Sequence, residues 1–282
     1  MQFHNPLSEI YVPDQIPAEQ ALSRTTHLAI AAHQDDIEIM AYHGILECFG
    51  KSDRNFSSAT VTNGAGSPRT GLYGDYSDED MQTVRRREQR KAAYVGDYSA
   101  HVFLDYPSAV ATDKRDRHVV EDLKQLISAA SPEVIYTHNL ADKHDTHVAT
   151  ALRVIEALRS LPAAARPGRL YGCEVWRALD WLNDDDKMVF NVEGHENLET
   201  ALVGVFDSQI NGGKRYDLAT TGRRRANATY LSSHRVDASA SAIYAMDLTP
   251  LMSDVKLDVS RYVRGFVERF EEDVAARIAS LG

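Results

Sequence analysis

Four short apolar segments, each followed by a helical pattern, constrain the fold of this chain more than any other feature. The segments have the length and composition of buried strands, and their bounds are Thr26–Ala32, Ser57–Asn63, His101–Tyr106 and Glu133–His138. The helical patterns that follow them cover residues 38–50, 77–95, 116–130 and 145–159. This alternation predicts an α/β fold with a Rossmann-like, doubly wound and mainly parallel sheet flanked by helices.

The C-terminal part of the chain predicts a smaller α+β annex. Its strand-like segments are 170–176 and 188–193, and its last segment is an amphipathic helix that we expect Ser260 to cap. The apolar stripe of that helix is expected to pack on the core or on another subunit, so a homo-oligomer is an open expectation. We predict one domain over residues 1–282, with a core at about 25–170 and the annex at about 171–282.

Charge and cysteine content exclude several classes of protein. Asp and Glu number 41 against 31 Lys and Arg, which gives a net charge of −10. Nucleic acids and anionic lipids favour basic surfaces, so neither is expected as a partner. Cys48 and Cys173 are far apart and form no C-x-x-C motif, which argues against a disulfide framework and a cysteine zinc site. Without a secretory signal pattern or a long apolar run, the chain is expected to be cytoplasmic, with no stable membrane insertion.

Polar residues collect where two predicted strands end. His33, Asp35 and Asp36 follow the first strand, and His144 and His147 lie at the start of the helix after the fourth. Crowded carboxylates raise each other's pKa, and a divalent cation removes that conflict. If the two strands are neighbours, both clusters meet at one edge of the sheet. Two imidazoles, one carboxylate and an open fourth position would then form a catalytic zinc site.

Each cluster also has a structural interpretation. Aspartates at positions 35 and 36 are favoured at a helix N-terminus by the helix dipole, so "HQDD" alone could be a polar cap. The "HDTH" segment alone could be a solvated first helical turn. Their joint position at the carboxyl ends of two strands favours the metal site.

Two motifs resemble those of a known enzyme family. "AHQDDIE" and "HDTH" are similar to the A-H-P-D-D and H-x-D-H motifs of the PIG-L/LmbE-like zinc N-deacetylases, which remove the acetyl group from N-acetylglucosamine conjugates. The resemblance covers roughly residues 25–160. "VRRREQRKAA" is similar to the family's R-x-x-E helix, with Arg85 and Glu88 matching, and "VFDSQ" resembles a later A-H-x-S-Q stretch, with Phe206 in place of its histidine.

The resemblance implies a role for each motif residue. His33, Asp36 and His147 would bind one Zn²⁺ per chain, although another divalent metal is an alternative. Asp35 would be the general base that takes the proton of the metal-activated water. His144 would be the general acid or would stabilise the oxyanion.

The chain departs from the family pattern at the second motif. Thr146 occupies the position of the family's aspartate in "HDTH". The carboxylate that orients a catalytic group is therefore expected to come from Asp142 or Asp145. Gln34 replaces the usual proline of the first motif.

Other residues are candidates for substrate binding. Arg85 is one, with a solvated arginine as its structural alternative. Arg69 and Tyr73 lie in the loop "GAGSPRTGLYGDY", which is neither a dinucleotide fingerprint nor a phosphate loop, and Asn63 lies just before it.

These observations favour a zinc-dependent hydrolase that removes an N-acetyl group from a small-molecule amino-sugar conjugate. Two alternatives remain open. "HD" at 144–145 could belong to a metal-dependent phosphohydrolase, and a relative that has lost its chemistry could bind sugars without catalysis.

Overall fold

A computed structural model describes residues 1–282. It contains eight strands: β1 (Glu9–Tyr11), β2 (His27–Ala31), β3 (Phe56–Thr62), β4 (Ala100–Tyr106), β5 (Val134–His138), β6 (Arg169–Cys173), β7 (Met188–Asn191) and β8 (Ala242–Asp247). The twelve α-helices are α1 (Ala18–Ser23), α2 (Asp36–Met40), α3 (Tyr42–Cys48), α4 (Asp78–Val95), α5 (Ser108–Thr112), α6 (His118–Ala130), α7 (Asp145–Ser160), α8 (Glu196–Gly204), α9 (Asp207–Ile210), α10 (Tyr216–Thr229), α11 (Thr249–Ser253) and α12 (Val259–Leu281).

All eight strands form one mixed sheet in the order β1-β4-β3-β2-β5-β6-β8-β7. The five central strands from β4 to β6 are parallel, whereas β1 at one edge and β8 and β7 at the other pair antiparallel. The predicted α/β class and the mainly parallel, helix-flanked sheet are confirmed. The annex strands β7 and β8 extend the same sheet.

The central strands are buried on both faces, which explains their continuous apolar character. In β2, Leu28 and Ile30 belong to a core of 32 buried residues on one face. Ala29 and Ala31 face a second core of 23 buried residues on the other. Side chains alternate between the faces of a strand, so Leu28, Ala29, Ile30 and Ala31 are all apolar.

Strand order reverses at β2, and this places the candidate site. The chain runs from β2 to β3 and β4 on one side, then returns to β5 on the other side of β2. The connections that follow the neighbouring strands β2 and β5 therefore lead in opposite directions along the sheet, which leaves a crevice at the carboxyl ends of these two strands. The predicted metal site required the first and fourth predicted strands to be neighbours, and the corresponding strands β2 and β5 are paired.

Several local predictions differ from the structure. The helix predicted over 38–50 is two helices, α2 and α3, which meet at Ala41. The last helix is capped by Asp258, whose side chain accepts from the backbone N–H of Arg261, and not by Ser260. The short elements β1, α5 and β8 were not predicted. No helix combines the length and the apolar composition needed to cross a membrane.

Candidate active site

The turn between β2 and α2 brings three polar side chains to the crevice. Asp36 is the first residue of α2, and its Oδ2 accepts a hydrogen bond from the backbone N–H of His33 at 2.8 Å. The same oxygen lies 3.2 Å from His33 Nδ1. Asp35 precedes the helix with a φ of +87°, which turns its side chain toward a different neighbour. The turn thus separates the two adjacent carboxylates.

The start of α7 supplies the second cluster from β5. His147 is buried, and its Nδ1 lies 3.5 Å from Asp142 Oδ2. Asp142 also accepts from the backbone N–H groups of His144 and Trp176, each at 3.1 Å. The carboxylate of Asp142 thereby fixes the ring of His147, so that Nε2 points into the crevice.

Three ligand atoms converge between the clusters. His147 Nε2 lies 3.2 Å from His33 Nδ1 and 3.3 Å from Asp36 Oδ2, and His33 Nδ1 lies 3.2 Å from Asp36 Oδ2. A tetrahedral zinc site with bonds of about 2.0–2.1 Å has edges of about 3.3 Å, so these atoms have the spacing of three zinc ligands. We call His33, Asp36 and His147 the ligand triangle. Its members belong to two overlapping groups that could hold a metal ion, His33–His144–His147 and Asp36–His138–His147, and the nitrogen and oxygen donors of the triangle fit Zn²⁺.

His138 lies beside the ligand triangle, but its Nε2 atom is already engaged in a hydrogen bond with the backbone. Its Nε2 is 3.5 Å from Asp36 Oδ2, but it accepts a hydrogen bond from the backbone N–H of Ala32 at 2.8 Å. Burial lowers the pKa of His138 well below its ordinary value, which keeps the ring neutral. Since its inward lone pair is already used, His138 stacks on His147, with ring centroids 3.8 Å apart, and acts as packing.

Asp36 and His147, two members of the ligand triangle, have pKa values shifted in opposite directions. Burial alone would raise the pKa of Asp36, but His147 holds it well below its usual range. Burial would lower the pKa of His147, whereas Asp36 and Asp142 raise it to about 9. The protein therefore keeps a carboxylate at this point, and a metal ion bound there would replace the proton of the His147 imidazole.

Asp35 has a separate environment formed by α4. Its Oδ2 accepts a hydrogen bond from Arg85 at 3.0 Å, and its backbone N–H donates to Gln89 Oε1 at 3.2 Å. Burial raises the pKa of Asp35 to about 7, with Arg85 opposing the rise and Asp36 adding to it. A carboxylate with a pKa near neutrality is suited to accept and release a proton. Arg85 is buried and paired with Asp35, so it is not the solvated arginine of the structural alternative.

His144 lies over the triangle on the solvent side. Its ring centroid is 4.9 Å from that of His33 and 4.6 Å from that of His147. Burial and the nearby rings of His147 and His33 lower the pKa of His144. The side chain is half-buried, and although its ring lies close enough to His33 and His147 to share a metal ion with them, it is also on the side from which a substrate can reach it.

A cavity of about 440 Å³ opens beside these residues. Five predicted site residues line it: His33, Asp35, Asp36, Arg85 and His144. The loop after β3 contributes Gly64, Gly66, Ser67 and Pro68 to its wall. The lining is therefore small and polar on the loop side and acidic and imidazole-rich at its base.

Three predicted substrate contacts lie elsewhere. Arg69 donates to the carbonyls of Ala65 and Tyr76 and pairs with Asp78, so its guanidinium holds the loop together. The hydroxyl of Tyr73 donates to Asp207 at 2.6 Å. Asn63 Oδ1 accepts from the backbone N–H of Ala65 and closes a turn. Because none of the three lines the cavity, their positions do not support the predicted sugar contacts.

The alternatives for the orienting carboxylate are also distinguished. Asp142 contacts His147, whereas Asp145 is exposed at the start of α7 and takes part in no side-chain hydrogen bond or ion pair. The exposed position follows from the helix geometry, since Asp145 is two residues from His147 and faces another direction.

Sequence reasoning missed the contribution of the annex. Trp176, Gln209, Lys214 and Tyr216 line the cavity from the side opposite the motif turn. Only Gln209 had a signal, because "VFDSQ" contains it. Both Glu88 oxygens accept from Ser208, from its N–H and from its hydroxyl, each at 2.7 Å, and this joins the annex to α4.

The fold and the ligand triangle define an α/β protein with a buried His/Asp cluster at the switch point of its sheet. Residues 28–158 match the family model PIG-L, described as GlcNAc-PI de-N-acetylase, so this part of the chain is similar to that family. The resemblance seen in the two motifs is thus confirmed. The match supports a hydrolytic N-deacetylase. None of the curated proteins matches the chain in sequence.

Solved structures share the fold at low sequence identity. N,N'-diacetylchitobiose deacetylase from Pyrococcus horikoshii is 15% identical, with a TM-score of 0.60 over 80% of this chain and 85% of that chain. A deacetylase of the teicoplanin biosynthetic pathway, as a triple mutant, is 18% identical, with a TM-score of 0.57 over 79% and 97%. The 4-carboxy-2-hydroxymuconate hydratase GalB from Pseudomonas putida is 18% identical, with a TM-score of 0.60 over 79% and 96%. One fold thus carries two reaction types, so the residues of the site carry the functional argument.

Proposed function

We propose that this chain is a zinc-dependent hydrolase that removes the acetyl group from an amino-sugar conjugate of the N-acetylglucosamine type. The observation that carries the proposal is the ligand triangle of His33, Asp36 and His147, whose ligand atoms are 3.2–3.3 Å apart at the base of a cavity. Zinc is preferred over other divalent metals because two of the three donors are imidazole nitrogens.

A zinc ion held there would act as a Lewis acid toward the amide carbonyl and would lower the pKa of water to about 7. Asp35 lines the cavity next to the ligand Asp36, yet its carboxylate points to Arg85 and not into the triangle. Asp35 is therefore placed to accept the proton of the attacking water. Arg85 holds the carboxylate in position and does not contact the substrate's amide in this role.

His144 is the proposed proton donor to the leaving amine or the partner of the developing oxyanion. It lines the cavity above the triangle, and its lowered pKa favours the neutral ring at rest. A histidine that gains a proton during the reaction can transfer it to the amine nitrogen as the C–N bond breaks. Stabilisation of the oxyanion by one such donor is worth about 3–4 kcal/mol.

The substrate class follows from the cavity and from the family. A space of about 440 Å³ with a small polar wall accommodates a monosaccharide carrying an acetamide. The family description and the chitobiose deacetylase both name N-acetylglucosamine-type substrates. The aglycone of the conjugate is the subject of the next subsection.

Metal analysis combined with turnover tests the proposal. The purified protein should contain one zinc per chain, and it should release free amine from N-acetylglucosamine derivatives. Chelation should abolish turnover, and added Zn²⁺ should restore it. Stoichiometric metal with no amine release from any acetamido sugar would contradict the proposal, and a phosphoester panel would then separate a phosphohydrolase from a sugar-binding protein.

A further inference from the structure

A second, smaller cavity adjoins the candidate active site. It has a volume of about 140 Å³. Its hydrophobic wall, which we call the apolar cavity, is formed by Ile39, Val175, Trp176, Tyr216, Ala219 and Ile243. Trp176 and Tyr216 also line the active-site cavity, so the two spaces share a wall of two aromatic rings.

The charged residues at the edge of the apolar cavity are occupied by other partners. Arg224 donates to the carbonyls of Glu38 and Ile39 at 2.7 and 3.0 Å, and Arg223 donates to the carbonyl of Val175. Glu174 accepts from the backbone N–H groups of Leu179 and Tyr244. Each of these charged side chains is directed to a partner within the protein, and Arg224 is also paired with Glu199 at 3.1 Å, so the surface that the cavity offers to a ligand is mainly hydrophobic.

The apolar cavity lies directly beside the reacting groups. Ile39 is one helical turn after Asp35, and its backbone N–H donates to the Asp35 carbonyl at 3.2 Å. The ring of Trp176 stacks beside His144, with centroids 6.3 Å apart, and meets Tyr216 edge to face at 6.1 Å. The apolar cavity is therefore close enough to hold a substituent of the same substrate molecule whose amide lies at the ligand triangle.

We propose that the apolar cavity is a substrate subsite that binds an aliphatic chain of about six carbons or one aromatic ring. This inference rests on the proposed function. The volume is close to that of engineered protein cavities of about 150 Å³ that bind benzene. The substrate is accordingly an amino-sugar conjugate with a hydrophobic substituent, carried either on the acyl side of the amide or as the aglycone.

Two matched series of compounds distinguish these sources. One series lengthens the acyl group of methyl glucosaminide from acetyl to butanoyl to hexanoyl. The other keeps the acetyl group and lengthens the aglycone of N-acetylglucosamine from methyl to butyl to hexyl. Each methylene that enters the subsite should raise kcat/KM by about fourfold. We expect a gain of at least tenfold across one series, and that series identifies the substituent.

A pair of neighbouring variants links the gain to the subsite. Ala219→Phe places a ring into the apolar cavity from an exposed position of α10. Leu218→Phe places the same ring on the adjacent residue, which is 62% exposed and does not line the cavity. The ratio of kcat/KM for hexyl over methyl compounds, or for hexanoyl over acetyl compounds, should fall to about one in Ala219→Phe. In Leu218→Phe that ratio should stay at the wild-type value.

The outcomes separate this inference from the proposed function. Turnover of the acetyl and methyl compounds without a gain along either series overturns the subsite and leaves the deacetylase intact. An equal gain in Ala219→Phe and wild type also overturns it. If no compound is turned over, calorimetric Kd values for the same two series decide: a tenfold gain that Ala219→Phe removes supports the subsite, and equal Kd values overturn it.

Discussion

Asp35 combines an unfavourable backbone conformation with a buried carboxylate. A non-glycine residue at a φ of +87° costs about 1–3 kcal/mol, and it persists only where its surroundings hold it. Arg85 and Gln89 provide that restraint from α4. The result is that the side chains of two consecutive aspartates point to different partners, one to an arginine and one to the ligand triangle.

The first prediction concerns the division of labour between these aspartates. Asp35→Asn should retain stoichiometric zinc, because Asp35 is not in the ligand triangle, and should lower kcat by about 100- to 10,000-fold, because an amide cannot accept the proton. Asparagine also tolerates positive φ, so the fold should be kept. Elemental analysis and kcat on one preparation check both parts. Loss of the metal in this variant would show that the two roles have been assigned to the wrong residues.

Asp142 carries the second prediction at this scale. Because its carboxylate accepts from His147 Nδ1, Asp142→Asn should weaken metal affinity by about 10- to 100-fold. Activity should return when zinc is supplied in excess. Competition with a fluorescent zinc chelator measures the affinity. Asp145→Asn is the matched control, since Asp145 is exposed and unpaired, and it should bind zinc as the wild type does.

At the scale of elements, α4 is the support of the site. It carries Arg85, Glu88 and Gln89 on its buried face. Its N-terminus is a capping box in which Ser77 accepts from the backbone N–H of Asp80 and the Asp80 carboxylate accepts from the backbone N–H of Ser77. The helical pattern predicted over 77–95 thus corresponds to α4 together with its N-cap residue.

Removing the cap should therefore destabilise the chain without changing its chemistry. Ser77→Ala should lower the free energy of unfolding by about 1 kcal/mol. Thr83→Ala, at an exposed position within the same helix, should change it by no more than about 0.5 kcal/mol. Urea denaturation compares the two variants. If Ser77→Ala changed kcat of the folded protein strongly and its stability little, the supporting role of the helix start would be refuted.

The C-terminal helix α12 shows the limit of pattern reasoning for one element. Its apolar stripe predicted a packed face, yet among its residues only Phe266 is buried, and Phe270, Val274 and Ile278 are exposed. The 3.6-residue period specifies which side chains share a face, but it does not specify what covers that face. The expected homo-oligomer stays a prediction.

For the whole molecule, Arg224 connects the annex to the motif helix. It is fully buried, its guanidinium donates to the carbonyls of Glu38 and Ile39, and it lies 3.1 Å from the carboxylate of Glu199. The ring of Tyr42 packs against it at 4.7 Å. These contacts fix α10, and with it the aromatic wall of the active site, against α2. We propose on this basis that residues 1–282 act as one domain.

Breaking this connection should destabilise the protein as a whole. Arg224→Met removes the charge at similar volume and leaves Glu199 buried without its partner, so the free energy of unfolding should fall by about 3–5 kcal/mol. The neighbouring Arg225→Ala breaks an exposed pair with Glu196 and an exposed hydrogen bond to the Ala240 carbonyl, and should cost about 0–1 kcal/mol. Denaturant unfolding followed by tryptophan fluorescence gives both values. Similar losses in the two variants would show that the buried pair does not anchor the annex.

Local patterns of the sequence determined the strands β2 to β5, the main helices α4, α6 and α7 that accompany them, and the positions of the two His/Asp motifs. Each depends on residues close together in the chain: apolar runs, a capping box and histidines spaced three apart. The ligand roles of His33, Asp36 and His147 and the base role of Asp35 came from the family resemblance and stay predictions that the geometry supports.

Only the tertiary structure decided which distant groups meet. It placed Asp142 and not Asp145 against His147, and it bonded His138 to the Ala32 amide. It directed Arg69 to its own loop and Tyr73 to Asp207, and it brought Trp176, Lys214 and Tyr216 to the cavity. These outcomes depend on how the annex docks and on where each side chain finds a hydrogen-bond partner. The periodicity of a segment carries no information about such long-range packing, because it reports only which face is buried.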